Sequence, residues 1–138
     1  MHRESQAGSR PIILYIDDDR FLLTLCADVL ELHGFRTVIA PDGPFGIETA
    51  KTVRPALILL DLVMPGMDGF EVCRRLRAIP DLRDTPVILF TARQDLTVDV
   101  AALEAGATVT LRKRYDATEL ISTIQRLLGQ GLGRGKNS

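Results

Sequence analysis

Five short runs rich in apolar residues alternate along this chain with segments whose apolar residues recur every three or four positions. The runs are Ile12-Ile13-Leu14-Tyr15-Ile16, Phe35 to Ala40, Ala56-Leu57-Ile58-Leu59-Leu60, Val87-Ile88-Leu89-Phe90 and Ala107 to Leu111. A near-continuous apolar run of this length is a strand covered on both faces, the signature of a parallel sheet rather than of a half-solvated antiparallel one. Parallel neighbours need a crossover, in practice a helix packed on the sheet in a right-handed sense. The alternation therefore restricts the chain to one α/β fold, a doubly wound parallel sheet of five strands with helices on both faces.

The helical segments carry their own boundaries. Leu22, Leu25, Cys26 and Val29 form one stripe, and His33-Gly34 closes it with glycine at the left-handed position. Pro41-Asp42-Gly43-Pro44 reads as a turn before a weaker helix over roughly 45–53. Asp68 can cap a helix that turns Val72, Cys73 and Leu76 inward and stops near Pro80. Asp95 or Thr97 starts a helix with Val98, Ala101, Ala102 and Ala105, and the last helix shows Ala117, Leu120, Ile121, Ile124, Leu127 and Leu128.

At 138 residues, 46% hydrophobic and 25% charged, the sequence suits one globular domain, and a formal net charge of -1 gives no reason to expect direct nucleic-acid binding. Cys26 and Cys73 fall on apolar helix faces as buried thiols, which argues for a reducing compartment. No stretch is long enough for a signal peptide core or a membrane span, so the expectation is a cytoplasmic protein without membrane contact. The boundaries read as a flexible segment 1–10, an ordered domain 11–128 and a flexible tail 129–138, the tail being polar and rich in Gly and Ser.

Chemistry gathers where four of the runs end. Asp17 and Asp18 follow the first, Asp61 the third, Thr91 the fourth, and Lys113 lies two residues past the fifth. Ligands of open α/β sheets bind outside the carboxyl ends of the strands, so these scattered residues meet at one edge. Three clustered carboxylates repel one another and need a cation. Oxygen ligands without nearby His or Cys favour Mg²⁺. Three aspartates, one Mg²⁺ and Lys113 sum to zero formal charge, and converting one aspartate to an acyl phosphate adds only about one negative charge. Neutral donors, the Thr91 hydroxyl and loop N–H groups, can accommodate it. Phosphoryl transfer asks mainly for positioning and charge neutralisation, and an aspartate is a suitable nucleophile. Asp61, on the central strand between the Asp17–Asp18 pair and the Thr91/Lys113 side, is the best candidate. Alone, each residue has a plainer reading: helix capping for the aspartate triplet, which Asp19 fits, helix entry for Thr91, and a solvated amine for Lys113. Their joint occurrence at one edge is what points to a phosphoryl site.

Leu14-Tyr15-Ile16-Asp17-Asp18-Asp19 and Leu59-Leu60-Asp61-Leu62-Val63-Met64-Pro65-Gly66-Met67-Asp68-Gly69 are the most specific parts of a resemblance that runs from Pro11 to Leu128. Phe90-Thr91-Ala92, Gly106-Ala107 and Lys113 support it. The chain resembles a response-regulator receiver domain of two-component signalling, similar to the chemotaxis regulator. The resemblance implies a flavodoxin-like (βα)5 sheet with strand order 2-1-3-4-5. It implies that Asp61 accepts a phosphoryl group from a histidine kinase's phosphohistidine, and that Asp17, Asp18, the Asp61 carboxylate and the Val63 backbone carbonyl hold Mg²⁺. Thr91 and Lys113 would each contact a phosphoryl oxygen. Partners would be a sensor histidine kinase or phosphotransfer protein and a downstream effector protein, reached by protein contact and without an output domain within these residues, with phosphorylation-dependent dimerisation left open.

Two positions depart from the family pattern. Arg114 stands where a proline usually follows the lysine, and since a non-proline cis bond costs about 2.5–4 kcal/mol the 113–114 peptide is expected to be trans. Thr110 stands where an aromatic switch residue is usual, so the readout is muted or moved, with Tyr115 as a candidate substitute. Arg93 and Val63, two positions past Thr91 and Asp61, flank the pocket mouth, while Arg112 and Arg114 form a solvated edge. Two other functions compete. One is a small Mg²⁺-dependent phosphatase with Asp17 as nucleophile and Asp19 as acid–base, which has the aspartate-x-aspartate spacing of the haloacid-dehalogenase-like family but leaves Asp61 idle. The other is a receiver-like binding module that has lost phosphorylation.

Overall fold

The computed structural model describes residues 10–113 and 116–129. Residues 1–9 of the flexible segment expected over 1–10, Arg114 with its peptide to Lys113, Tyr115, and residues 130–138 of the tail expected over 129–138 lie outside the described residues.

Each apolar run forms its strand: β1 Ile12–Ile16, β2 Arg36–Ala40, β3 Leu57–Asp61, β4 Val87–Thr91 and β5 Val109–Arg112. They pair in parallel in the order β2-β1-β3-β4-β5, which bears out the expected 2-1-3-4-5 arrangement and puts β3 in the middle. Asp61 and Thr91 are the last residues of their strands, within the sheet rather than just past it, and Asp61 lies opposite Phe90.

Five helices follow the strands: α1 Arg20–Leu32, α2 Gly43–Val53, α3 Gly69–Arg77, α4 Leu96–Ala105 and α5 Thr118–Leu127. Four begin on an aspartate whose side chain accepts a backbone N–H from the first turn: Asp19 from Leu22, Asp42 from Phe45, Asp68 from Glu71 and Asp95 from Val98. α2 starts two residues earlier than its apolar pattern indicates. The apparent turn at 41–44 is a helix entry, with Asp42 as cap and Pro44 in the first turn, where a missing N–H costs nothing. Gly34 takes φ 92° just past α1, as the helix-end reading requires.

Strand alternation divides the core. Leu14, Ile16, Ile58, Leu60, Val87 and Leu89 face α2, α3 and α4, whereas Ile13, Tyr15, Leu57, Leu59, Ile88, Phe90 and Leu111 face α1 and α5. Both thiols are free, Cys73 buried and Cys26 partly so. No helix among the described residues is long and apolar enough to cross a membrane.

The loop after Asp61 is pinned by the start of α3. Gly69 N donates to Leu62 O at 2.8 Å. A Cβ at Gly69 would sit 2.5 Å from Asp61 O and 2.8 Å from Leu62 Cα, so only glycine lets the helix approach this closely. Gly69→Ala should therefore destabilise the fold by about 1–3 kcal/mol, more than the ~1 kcal/mol alanine gains as a helix former. Urea unfolding measures this, and unchanged or higher stability would contradict the close packing.

Candidate functional site

Alternation aims three of the site residues at one point. Asp17 shares a face with Tyr15, Asp61 with Leu59, and Lys113 with Leu111, all on the α1/α5 side of the sheet. Asp17 is 0% and Asp61 5% exposed. Lys113 reaches back over the Phe90 ring, its Nζ 5.8 Å from the ring centroid. It bonds Asp17 Oδ2 at 2.8 Å and Asp61 Oδ1 at 3.0 Å. Asp17 also accepts the Asp19 N–H on Oδ1 at 2.9 Å and the Tyr15 hydroxyl on Oδ2 at 2.6 Å. The exposed Asp18 completes the acidic group: Asp17, Asp18 and Asp61 each offer a carboxylate oxygen, and the three atoms lie within 4.8 Å of one another.

Thr91 belongs to the other parity. Its hydroxyl is buried and accepts the Arg93 N–H at 3.2 Å, so the Thr91 side chain stands at the pocket's edge, turned toward its own loop. The Lys113 N–H donates to Thr91 O at 2.7 Å, which ties the two strand ends together. Val63 is exposed two residues beyond Asp61. The Arg93 guanidinium is exposed and paired with Asp95 at 2.8 Å. Arg112 is exposed, as a solvated edge requires. His33 hydrogen-bonds its own helix at Val29 O, as a helix-end residue.

Thr110 carries a connection that the strand pattern does not reveal. Its hydroxyl donates to Asp99 Oδ1 at 2.6 Å, and Gln94 Nε2 donates to its Oγ1 at 3.0 Å and its carbonyl at 3.2 Å. The loop that holds Thr91 is thus bonded to α4 and β5 through a threonine, not packed there by an aromatic ring.

Two buried anions share one ammonium, and the charges show it. Burial and the Asp17 carboxylate push Asp61 up to about 6, with Lys113 offsetting part of the rise. Burial pulls Lys113 down, but its bonds to Asp17 and Asp61 outweigh it and hold it above the ordinary lysine value. Burial, then the bond to Asp17, drives Tyr15 far upward, so its hydroxyl is a permanent donor.

These shifts fix a pH dependence. Unfolded, Asp61 titrates near its ordinary 3.8, and folded near about 6. The folded state holds this proton more tightly, so the group's contribution to stability is complete below about pH 4 and lost as pH rises through about 6. In chelator, Asp61→Asn should match the wild type near pH 4 and exceed it by about 1–3 kcal/mol above pH 7. Urea titrations at several pH values measure the gap, and a gap that shrinks as pH rises would contradict the assignment.

The model for the response regulator receiver domain matches residues 13–125. The "DNA-binding response regulator MtrA" of Mycobacterium leprae is 37% identical over 119 residues, covering 86% of this chain and 52% of that protein. The chain spans about half the length of the curated relatives it matches. Among solved structures, the Vibrio cholerae chemotaxis protein CheY4 superposes with a TM-score of 0.83 at 26% identity, covering 86% of this chain and 99% of that one. The receiver domain of the sensor histidine kinase PA1611 from Pseudomonas aeruginosa, solved with magnesium ion coordinated in its active site cleft, superposes at 0.81 and 29% identity, covering 88% and 100%. The phosphatase reading gains no support: the family matched is the response regulator receiver domain, and the Asp19 carboxylate it needs for proton transfer caps α1. The family is one of signalling domains, generally not enzymes, that bind Mg²⁺ at an acidic pocket. With a matched span that takes in all five strands except Ile12, and the whole acidic cluster, this chain belongs to the response-regulator receiver domains.

Proposed function

We propose that this receiver domain accepts a phosphoryl group on Asp61 and signals through protein contact. The observation that carries the reading is the Asp17–Lys113–Asp61 arrangement, in which a single buried ammonium bonds two buried carboxylates at the carboxyl edge of the sheet. Asp61 is the nucleophile: its carboxylate oxygen bonds to phosphorus as the phosphorus–nitrogen bond of a phosphohistidine breaks, and the imidazole leaves with the electron pair and takes a proton from solvent. Titrating near about 6, Asp61 is largely ionised at neutral pH, as a nucleophile must be. Lys113, already on Asp61 Oδ1, neutralises part of the charge that arrives. Thr91 lies at the end of the neighbouring strand and would exchange its bond from Arg93 N–H for one donated to a phosphoryl oxygen.

The donor set fits Mg²⁺. Asp17, Asp18 and Asp61 supply hard oxygens, with the Val63 backbone carbonyl as a fourth candidate, and among the described residues no His or Cys joins the cluster. Bound there, Mg²⁺ would supply positive charge against the charge that gathers on the transferring phosphoryl oxygens. Acceptance and later hydrolysis of the acyl phosphate would be this domain's own chemistry, without turnover of a separate substrate.

The donor would be a sensor histidine kinase or a phosphotransfer protein, and the recipient of the signal an effector protein. Movement of Thr91 would pull on the Gln94–Thr110–Asp99 bonds and so on α4, whose Leu96, Val100 and Leu103 are exposed and open to a partner or a second copy. MtrA is named a DNA-binding protein, and this chain spans only half of it, so absence of nucleic-acid contact is assigned to the receiver domain alone.

Incubation with acetyl phosphate and Mg²⁺ tests the reading. The wild type should take up label to about one phosphoryl group per chain, Asp61→Asn should take up none, and Asp17→Asn or chelator should reduce uptake at least tenfold. Label that persists in Asp61→Asn, or steady ester turnover that survives it, would overturn the assignment.

A further inference from the structure

Tyr15 has no part in the chemistry above, yet its hydroxyl makes the shortest of the bonds to Asp17 described. The side chain is fully buried on β1, edge-on to Phe90 with ring centroids 6.3 Å apart at 65°. Two residues apart on a strand, Tyr15 and Asp17 point to the same face, which lets a long aromatic side chain carry a donor up to the carboxylate. A carboxylate has about four lone-pair positions. Tyr15 at 2.6 Å and Lys113 at 2.8 Å occupy Oδ2, and the Asp19 N–H at 2.9 Å occupies one position on Oδ1. What remains unfilled lies on Oδ1.

The three donors differ in how firmly they stay. Lys113 is shared with Asp61 and is the group that a phosphoryl oxygen would draw away. The Asp19 N–H belongs to the start of α1. Tyr15 is uncharged, rooted in a buried strand and packed edge-on to the Phe90 ring, so its bond to Oδ2 does not depend on a group shared with Asp61.

We propose that Tyr15 is a positioning residue of the metal site: its hydroxyl fixes the Asp17 carboxylate so that Oδ1 faces the cation position. The inference rests on Asp17 being a Mg²⁺ ligand. Donors behind a metal ligand set its orientation and basicity, and their loss weakens metal binding by about 10–100-fold.

Titration calorimetry of the full chain with MgCl2, without any phosphoryl donor, tests it. Tyr15→Phe keeps the ring and removes only the hydroxyl, and should weaken Mg²⁺ binding about tenfold or more. Ile13→Val, a trimmed side chain on the same strand and face but away from Asp17, should leave the affinity within twofold. Equal weakening by Ile13→Val would mean that general loosening of the core is responsible, and would overturn the proposal. Asp17→Asn separates loss of the metal site from loss of the Tyr15 contact. If it abolishes binding while Tyr15→Phe binds as wild type does, this inference alone fails; if Asp17→Asn itself binds normally, the metal-site reading fails with it. A measurement on the wild type stands independently of whether the variants fold. The ring Cζ resonance of ¹³C-labelled Tyr15 should shift during the Mg²⁺ titration with the calorimetric midpoint, and a resonance that does not move would overturn the assignment.

Discussion

One ammonium held between two buried carboxylates governs this molecule. Lys113 bonds Asp17 at 2.8 Å and Asp61 at 3.0 Å where little water screens them. The pair of anions exceeds the single cation, and the exposed Asp18 adds to the excess. Burying an incompletely compensated charge is expensive, and the structure bears that expense by raising the proton affinity of Asp61. The same imbalance gives the site its chemistry. A pocket short of positive charge is suited to a divalent ion, and with one bound it would have the capacity for a phosphoryl group.

The sheet makes that cluster nearly unavoidable. With β3 at the centre and β1 beside it, their carboxyl ends deliver Asp61 and Asp17 side by side. Because Tyr15, Leu59 and Leu111 all face α1 and α5, the residues two positions later face the same way. Thr91 is one pleat out of phase: its hydroxyl accepts from Arg93 N–H in its own loop, and that loop is tied through Gln94 to Thr110 and on to Asp99, not to Asp17 or Asp61. The bonds among the buried charges and the bonds of the Thr91 loop are thus two sets, which meet where Lys113 N–H joins Thr91 O.

Much of this was legible from residue order. Strands buried on both faces are nearly pure apolar runs, so their positions, and the acids at their ends, can be read to within one or two residues. Caps are legible when an aspartate precedes a clear stripe, as at Asp19, Asp68 and Asp95. Asp42 was hidden because Pro-Asp-Gly-Pro serves a turn and a helix start equally well, and α2 has few large apolar residues to decide between them. Tyr15 reads as one more core residue, since only the alternation of the strand shows that its hydroxyl arrives at Asp17. The Gln94–Thr110–Asp99 bonds join residues up to 16 positions apart, and Arg77 spans 29 positions to bond Gly106 O. No local pattern reports such pairings, because each partner alone is an ordinary surface polar group.

The central claim concerns the protonation of one carboxyl group, and carbon-detected NMR of the Asp61 side chain in metal-free protein observes it directly. The account predicts a midpoint near about 6, higher still in Lys113→Met and lower when Mg²⁺ is added. A midpoint near the ordinary aspartate value, indifferent to both the lysine and the ion, would contradict it.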